Sequence, residues 1–186
     1  MKTIYITIVL IIFCAFNGCK SRKPDNADTL VLFNTYRNNK IWKTDTLHLE
    51  KSIRNDTIEY LYKIDNDTLI YSFFKPADND SSIVVYGLNC ALVSQKAFTV
   101  GTDSYTIFKY HYDNGKLYND ESSLFYNKNY GLLVGYNDGW FELIFSMEYD
   151  SVSRVLIDSI INDRTGFYIR YVPPPPPSDS LIIDIG

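Results

Sequence analysis

The sequence contains few of the residues from which most enzyme active sites are built. Its 186 residues include two histidines and three cysteines. It has no G-x-S-x-G motif, no glycine-rich phosphate loop and no dinucleotide fingerprint. It also has no CxxC pattern, and too few cysteines for a disulfide framework. The sequence therefore does not support a serine hydrolase or a nucleotide-binding enzyme, and we expect no cofactor.

Positive charge is also scarce. The formal net charge is −4, and no basic stripe runs along the chain, so we expect no nucleic-acid partner. The one basic cluster consists of Lys20, Arg22 and Lys23. It either contacts anionic lipid headgroups or begins a solvated, flexible tether.

The N-terminus has the order of features found in an export signal. Lys2 precedes an apolar run from Ile4 to Phe16, and Gly18 stands directly before Cys19. This segment resembles the lipobox of bacterial lipoproteins. The resemblance implies cleavage between Gly18 and Cys19, and a lipid on the Cys19 thiol. It also implies attachment to a membrane of the bacterial cell envelope, the outer membrane in preference to the inner, with the body facing the periplasm or the cell surface.

Two other interpretations of this segment remain open. An uncleaved membrane anchor ranks second, because the apolar run is shorter than the roughly 20 residues that span a bilayer. An ordinary signal peptide would leave Cys19 as a free thiol, which is a liability in an oxidising compartment.

The rest of the chain is typical of one β-rich domain. Residues 1–18 are the signal peptide, 19–28 a flexible tether, 29–172 a single antiparallel domain and 173–186 a tail. Aromatic residues make up 16% of the chain, and many alternate along short segments, as in Ile58, Tyr60, Tyr62 and Ile64. Asn- and Asp-rich turns separate these segments and predict hairpins. Asn38–Asn39 marks one turn, and Asn114–Gly115 favours a type I′ turn. The last predicted strand covers Thr165–Val172.

One segment has helical periodicity instead. Val152, Val155, Leu156 and Ile160 predict a helix at about residues 147–162, with Asp150 as its N-cap and Gly166 ending its connector. We therefore predict a mainly β (α+β) fold: an antiparallel, strongly curved sheet or open barrel with one C-terminal helix packed on it.

The tail begins with five prolines, Pro173–Pro177, which favour a polyproline II rod. Beyond it, Leu181–Ile185 either adds an edge strand to the same sheet or reaches a protein partner.

Candidate site residues are few, and each has an ordinary structural explanation. His48 with Glu50, and His111 with Asp113, are weak metal-ligand candidates that also fit a solvated sheet face. Glu121 and Glu142 form a weak glycosidase pair. Trp42 and Trp140 could stack on a sugar, but core packing is the commoner role. Cys90 fits a small buried hydrophobe.

Together these features favour a non-enzymatic, lipid-anchored envelope protein with a structural, interaction or binding role. The alternative is a carrier of a lipid or other apolar ligand, held in a β-lined cavity under the helix. A metal-dependent or glycoside hydrolase ranks third.

Overall fold

A computed structural model of the chain describes residues 29–65, 68–113, 121–140, 142–163, 165 and 167. The described part forms ten strands and one helix. The strands are β1 (Thr29–Arg37), β2 (Lys40–Arg54), β3 (Thr57–Ile64), β4 (Thr68–Pro76), β5 (Ser82–Val85), β6 (Leu88–Val100), β7 (Asp103–Tyr112), β8 (Ser122–Asn127), β9 (Gly131–Asn137) and β10 (Glu142–Glu148), followed by helix α1 (Ser151–Ile161).

The strands form a closed antiparallel barrel. Each strand pairs with the next one in sequence, and β1 pairs with β10 from Leu32–Glu148 to Thr35–Phe145. This confirms the predicted mainly β fold with a C-terminal helix. Closure pairs the backbone of β1, which would otherwise be an unprotected edge.

The hairpin turns follow from the residues that the sequence places there. Asn38 and Asn39 join β1 to β2 with φ of 53° and 56°, and Asn55 and Asp56 join β2 to β3 with similar values. Asparagine and aspartate tolerate this left-handed region better than other residues with a side chain, and it suits the tight turns of hairpins. The turn predicted at Asn38–Asn39 is therefore confirmed.

Helix α1 is shorter than the sequence predicts. Asp150 accepts a hydrogen bond from Ser153 N, and the Ser153 hydroxyl accepts one from Asp150 N, which confirms the predicted N-cap. The prediction of a helix start at Met147 is wrong, because Met147 continues β10 and points into the barrel core. An irregularity between Leu143 and Phe145 interrupts the alternation of β10, so that Leu143 faces the outer cluster while Phe145 and Met147 face the interior. The capping box starts the helix after Met147.

Two apolar clusters lie on opposite sides of the barrel wall. Tyr60, Tyr62, Phe73 and Tyr126 belong to the interior cluster. The buried face of α1 packs on the outer wall, in a second cluster whose buried members are Leu156, Ile157, Ile160, Ile107, Phe125, Leu133, Val134, Tyr136, Leu143 and Phe167. The helix thus lies outside the barrel, away from its interior.

Several predictions fall outside the described residues: the signal peptide, Cys19 and the tether, the Asn114–Gly115 turn, Gly166, and the polyproline tail. Of the predicted last strand, the structure describes Thr165 and Phe167, which lie in a turn and a bend. Within the described ranges, no helix is both long and apolar enough to cross a membrane.

Candidate functional site

The barrel interior opens at one end into an apolar pocket, which we call the mouth cavity. It has a volume of about 290 Å³ and is partly open to solvent. It lies at the end that carries the β1–β2, β3–β4, β5–β6 and β9–β10 turns. Its lining residues come from β1, β4, β5, β7, β8 and β10 and from the β5–β6 turn: Phe33, Ile70, Tyr71, Val85, Tyr86, Tyr112, Ser122, Leu124, Ile144 and Phe145.

Strand alternation places aromatic rings in this cavity. Phe145 tilts against Phe33 and Tyr71, with ring centroids 5.6 and 5.5 Å away. Gly135, on the neighbouring strand, makes room for this arrangement, because a Cβ built there would lie 2.3 Å from the Phe145 ring. The absence of a side chain at Gly135 in β9 therefore allows the Phe145 ring to occupy its position in the cavity wall.

Tyrosine hydroxyls supply most of the polar groups at the mouth. Tyr71 and Tyr86 meet edge to face at 5.4 Å, and Tyr112 and Ser122 lie on the adjoining wall. Burial raises the pKa of Tyr71 well above its ordinary value, and the nearby Tyr86 adds to the shift. The Tyr71 and Tyr86 phenols, whose pKa values burial raises, therefore stay neutral and can form hydrogen bonds without charge, which suits an apolar ligand with a small polar end.

Below the cavity, rings fill the barrel. Tyr60 stacks on Phe73 at 4.2 Å, and its hydroxyl lies 3.0 Å from that of Tyr126. The Tyr62 hydroxyl lies 2.8 Å from that of Tyr149, which in turn donates to the Leu132 carbonyl. The part of the interior that these described residues form is therefore a packed core below the mouth cavity.

A charged cluster occupies the opposite end of the barrel. The Lys75 side chain is 3% exposed, and its Nζ lies 2.9 Å from Asp80 Oδ1. Lys128 Nζ lies 2.7 Å from the other Asp80 oxygen. Burial would raise the pKa of Asp80, but the two lysines outweigh it and lower that pKa. Since both lysines are committed to one carboxylate, we assign this cluster a structural role.

Large apolar side chains are exposed around the mouth. The mouth rim consists of Ile41, Trp42, Leu69, Tyr86 and Trp140, all more than half exposed. The sequence assigned both tryptophans to the core by default, and that prediction is wrong, because Trp42 is 69% and Trp140 65% exposed. Trp42 has no partner in the β1–β2 register, and Trp140 lies in the β9–β10 turn.

The structure does not bring the weak metal candidates together. His48 and Glu50 lie on β2, whereas His111 lies on β7, five strands away around the barrel, and Asp113 follows β7. Lys63 binds both Glu50 oxygens at 2.8 Å. In the described ranges, no three His, Cys, Asp or Glu side chains are grouped to hold a metal ion.

A serine, an aspartate and a histidine do meet on the outer wall, but not in the order of a catalytic triad. The Ser123 hydroxyl is buried and lies 3.0 Å from both Asp138 carboxylate oxygens, while His111, the cross-strand partner of Ser123, has its Nδ1 3.8 Å from Asp138 Oδ2. In a catalytic triad the serine hydroxyl donates to the histidine, whereas here the Ser123 hydroxyl donates to the aspartate. The arrangement therefore anchors the β9–β10 turn to β8.

The remaining candidates have ordinary surroundings. Glu121 and Glu142 lie at the mouth end, on either side of the end of β9. Cys90 is fully buried, as predicted, and burial raises the pKa of its thiol to about 11. A neutral, buried thiol is a poor nucleophile.

Sequence reasoning missed the mouth cavity itself. Its residues are spread over six strands, so no local motif joins them. The sequence feature that could have indicated the cavity is the position of Tyr86 and Tyr112 next to turn residues. A large aromatic side chain at the end of a strand is not required to fill the core.

No protein family matches this sequence, and no curated protein or solved structure is significantly similar to the chain. The site must therefore be interpreted from its own geometry.

Proposed function

We propose that this protein is a lipid-anchored binding module of the bacterial cell envelope, without catalytic activity, that takes an apolar ligand in the mouth cavity. The observation that carries the proposal is the cavity's lining of aromatic and aliphatic side chains with a few neutral hydroxyl groups. Small-molecule sites in proteins typically have this composition. The lipobox resemblance at Cys19 supports the anchored location.

The ligand is small or only partly enclosed. The volume of about 290 Å³ is at the lower end of the range of about 300–1,000 Å³ found for ligand sites. An aromatic group or the end of one acyl chain fits this space. The location differs from the one expected under the helix, because α1 covers a packed outer cluster in which Leu156 and Ile160 are fully buried.

Filling the cavity tests the proposal. Ser122 lines the mouth with a small side chain, so Ser122→Phe places a ring in the space a ligand would use. The full chain in lipid nanodiscs is titrated with N-phenyl-1-naphthylamine, and emission sensitised by the tryptophans is recorded. We expect Ser122→Phe to weaken probe binding at least about tenfold, the loss that follows when about 1.4 kcal/mol of contact is removed.

Ser72→Phe is the matched control. Ser72 follows Tyr71 on β4, but it pairs with Leu61 on the outer face of the barrel. The same substitution there adds an equal apolar surface and leaves the cavity open. Equal probe binding by both variants and the unmodified chain would exclude the mouth cavity as the site, and would favour a purely structural or interaction role.

A further inference from the structure

The β1–β2 hairpin ends in an exposed apolar pair, within a segment that we call the β1–β2 tip (residues 37–43). Ile41 is 56% and Trp42 69% exposed. The β1–β2 pairing shifts between Thr35 and Tyr36, which pair with Lys43 and Ile41, so Trp42 is the extra residue of a bulge. A bulge is a usual means of redirecting a side chain away from its sheet.

The charge of the tip is opposite to that of the whole chain. The formal net charge of the protein is −4, yet no acidic residue occurs from residue 29 to residue 44. Arg37, Lys40 and Lys43 are all exposed in this stretch. Lys43 pairs with Asp45 at 2.8 Å, so Arg37 and Lys40 supply the tip's excess positive charge.

The tip also belongs to the mouth end of the barrel. Asn39 Oδ1 accepts a hydrogen bond from Leu143 N at 2.9 Å, which fixes the tip against the start of β10. Trp140, in the β9–β10 turn, is exposed at the same end. Glu142, at the start of β10, and Glu121, just before β8, are acidic residues at the same end, so the positive charge belongs to the tip and not to the whole mouth end.

We propose that the β1–β2 tip binds an anionic phospholipid bilayer, with Ile41 and Trp42 in the headgroup region and Arg37 and Lys40 against lipid phosphates. Tryptophan is enriched at membrane interfaces, and basic side chains are attracted to anionic lipid. This inference rests on the proposed function. It turns the mouth cavity towards the bilayer and makes the acyl chain of a membrane lipid the ligand class.

The length of the N-terminal segment permits this orientation. β1 begins at the end of the barrel opposite the mouth, and its nine residues extend over about 26 Å. Nine residues lie between Cys19 and Thr29, and the ten Cα–Cα steps of this segment span at most about 35 Å. A lipid on Cys19 can therefore lie in the same bilayer that the tip contacts.

The two tryptophans of the chain make the test direct. In Trp140→Phe, Trp42 is the sole tryptophan and reports on the tip. The reference reporter is Ile53→Trp in a Trp42→Phe/Trp140→Phe background, because Ile53 is 66% exposed near the opposite end of β2. Each full-length variant is reconstituted in vesicles of phosphatidylethanolamine and phosphatidylglycerol, with and without acyl chains brominated near the headgroup, and vesicle flotation confirms attachment.

We expect brominated lipid to remove about half of the Trp42 emission and to leave the Ile53→Trp emission nearly unchanged. Lys40→Glu, or replacement of phosphatidylglycerol by phosphatidylcholine, reduces the quenching of Trp42. Equal quenching, or no quenching, at both reporters in floating vesicles would overturn the inference. The exposed apolar side chains of the mouth rim would then be explained by contacts with a protein partner. Since the nanodisc titration measures cavity binding separately, that outcome does not depend on whether the cavity binds the probe.

Discussion

At the scale of single residues, the shape of the mouth cavity depends on a few positions with small side chains. Gly135 faces the Phe145 ring, and Ser122 leaves open space beside Tyr112. Both residues have small side chains among large ones. Such positions determine whether a ring-rich barrel end is filled or open, because aromatic side chains alone would occupy the space.

Gly135→Ala tests this dependence. A Cβ at residue 135 would lie 2.3 Å from Phe145 Cε1, and φ at Gly135 is not positive, so the penalty is steric and not conformational. Overpacking of this kind costs about 1–3 kcal/mol. We expect urea denaturation to show a loss of that size in the free energy of unfolding. In a Phe145→Leu background the loss should shrink, and an unchanged loss would show that the Phe145 ring is not its cause.

At the scale of elements, the sequence predicted what depends on neighbouring residues. The alternation Ile58, Tyr60, Tyr62 and the turn at Asn38–Asn39 gave correct strands and a correct hairpin. The N-cap at Asp150 was also correct, because a capping box is a local pattern. The prediction that the helix starts at Met147 was wrong, because an apolar residue at the end of a strand fits both the two-residue period of a strand and the 3.6-residue period of a helix.

The exit of helix α1 offers a test at this scale. Asp163 lies just after the helix and is 5% exposed; Lys96 Nζ on β6 approaches its carboxylate to 2.7 Å, and Phe167 N donates to it. Burial would raise the pKa of Asp163, but hydrogen bonds from Lys96 and Thr165 outweigh it and lower the pKa to about 2. The ionised carboxylate therefore fastens the segment after α1 to the outer wall of the barrel.

Because this pKa is lowered on folding, the stabilisation is present above the ordinary value of 3.8 and is lost as pH falls from there towards 2. With allowance for solvent screening, we expect about 1 kcal/mol. Urea denaturation of the wild type and Asp163→Asn at several pH values measures it. The gap between the two proteins should narrow below pH 3.8, and a gap independent of pH would show that the Asp163 charge does not contribute.

At the scale of the whole molecule, the sequence was less informative because closure joins its most distant strands. Pairing of β1 with β10 brings Asn34 within 3.0 Å of Glu148. No local pattern encodes that contact. The same closure gathers six strands around the mouth cavity and turns Trp42 and Trp140 to one end, which is why sequence reasoning placed both tryptophans in the core.

The proposed lipid attachment at Cys19 lies outside the residues that form the barrel, and this yields a prediction about location. The strands begin at Thr29, and the barrel is held by pairing among residues 29–148. Cys19→Ser removes the thiol that, by the lipobox resemblance, would carry the lipid. Residue 19 takes no part in the strand pairing, so the substitution should not affect it. We expect the variant to keep its fold but to leave the envelope fraction or remain uncleaved, whereas the wild type should show an acylated N-terminal Cys19 by mass spectrometry.

Ser21→Ala, two residues further on, is the control and should behave as the wild type. If Cys19→Ser fractionates with the envelope and is cleaved as the wild type is, a lipid on this thiol does not hold the protein there.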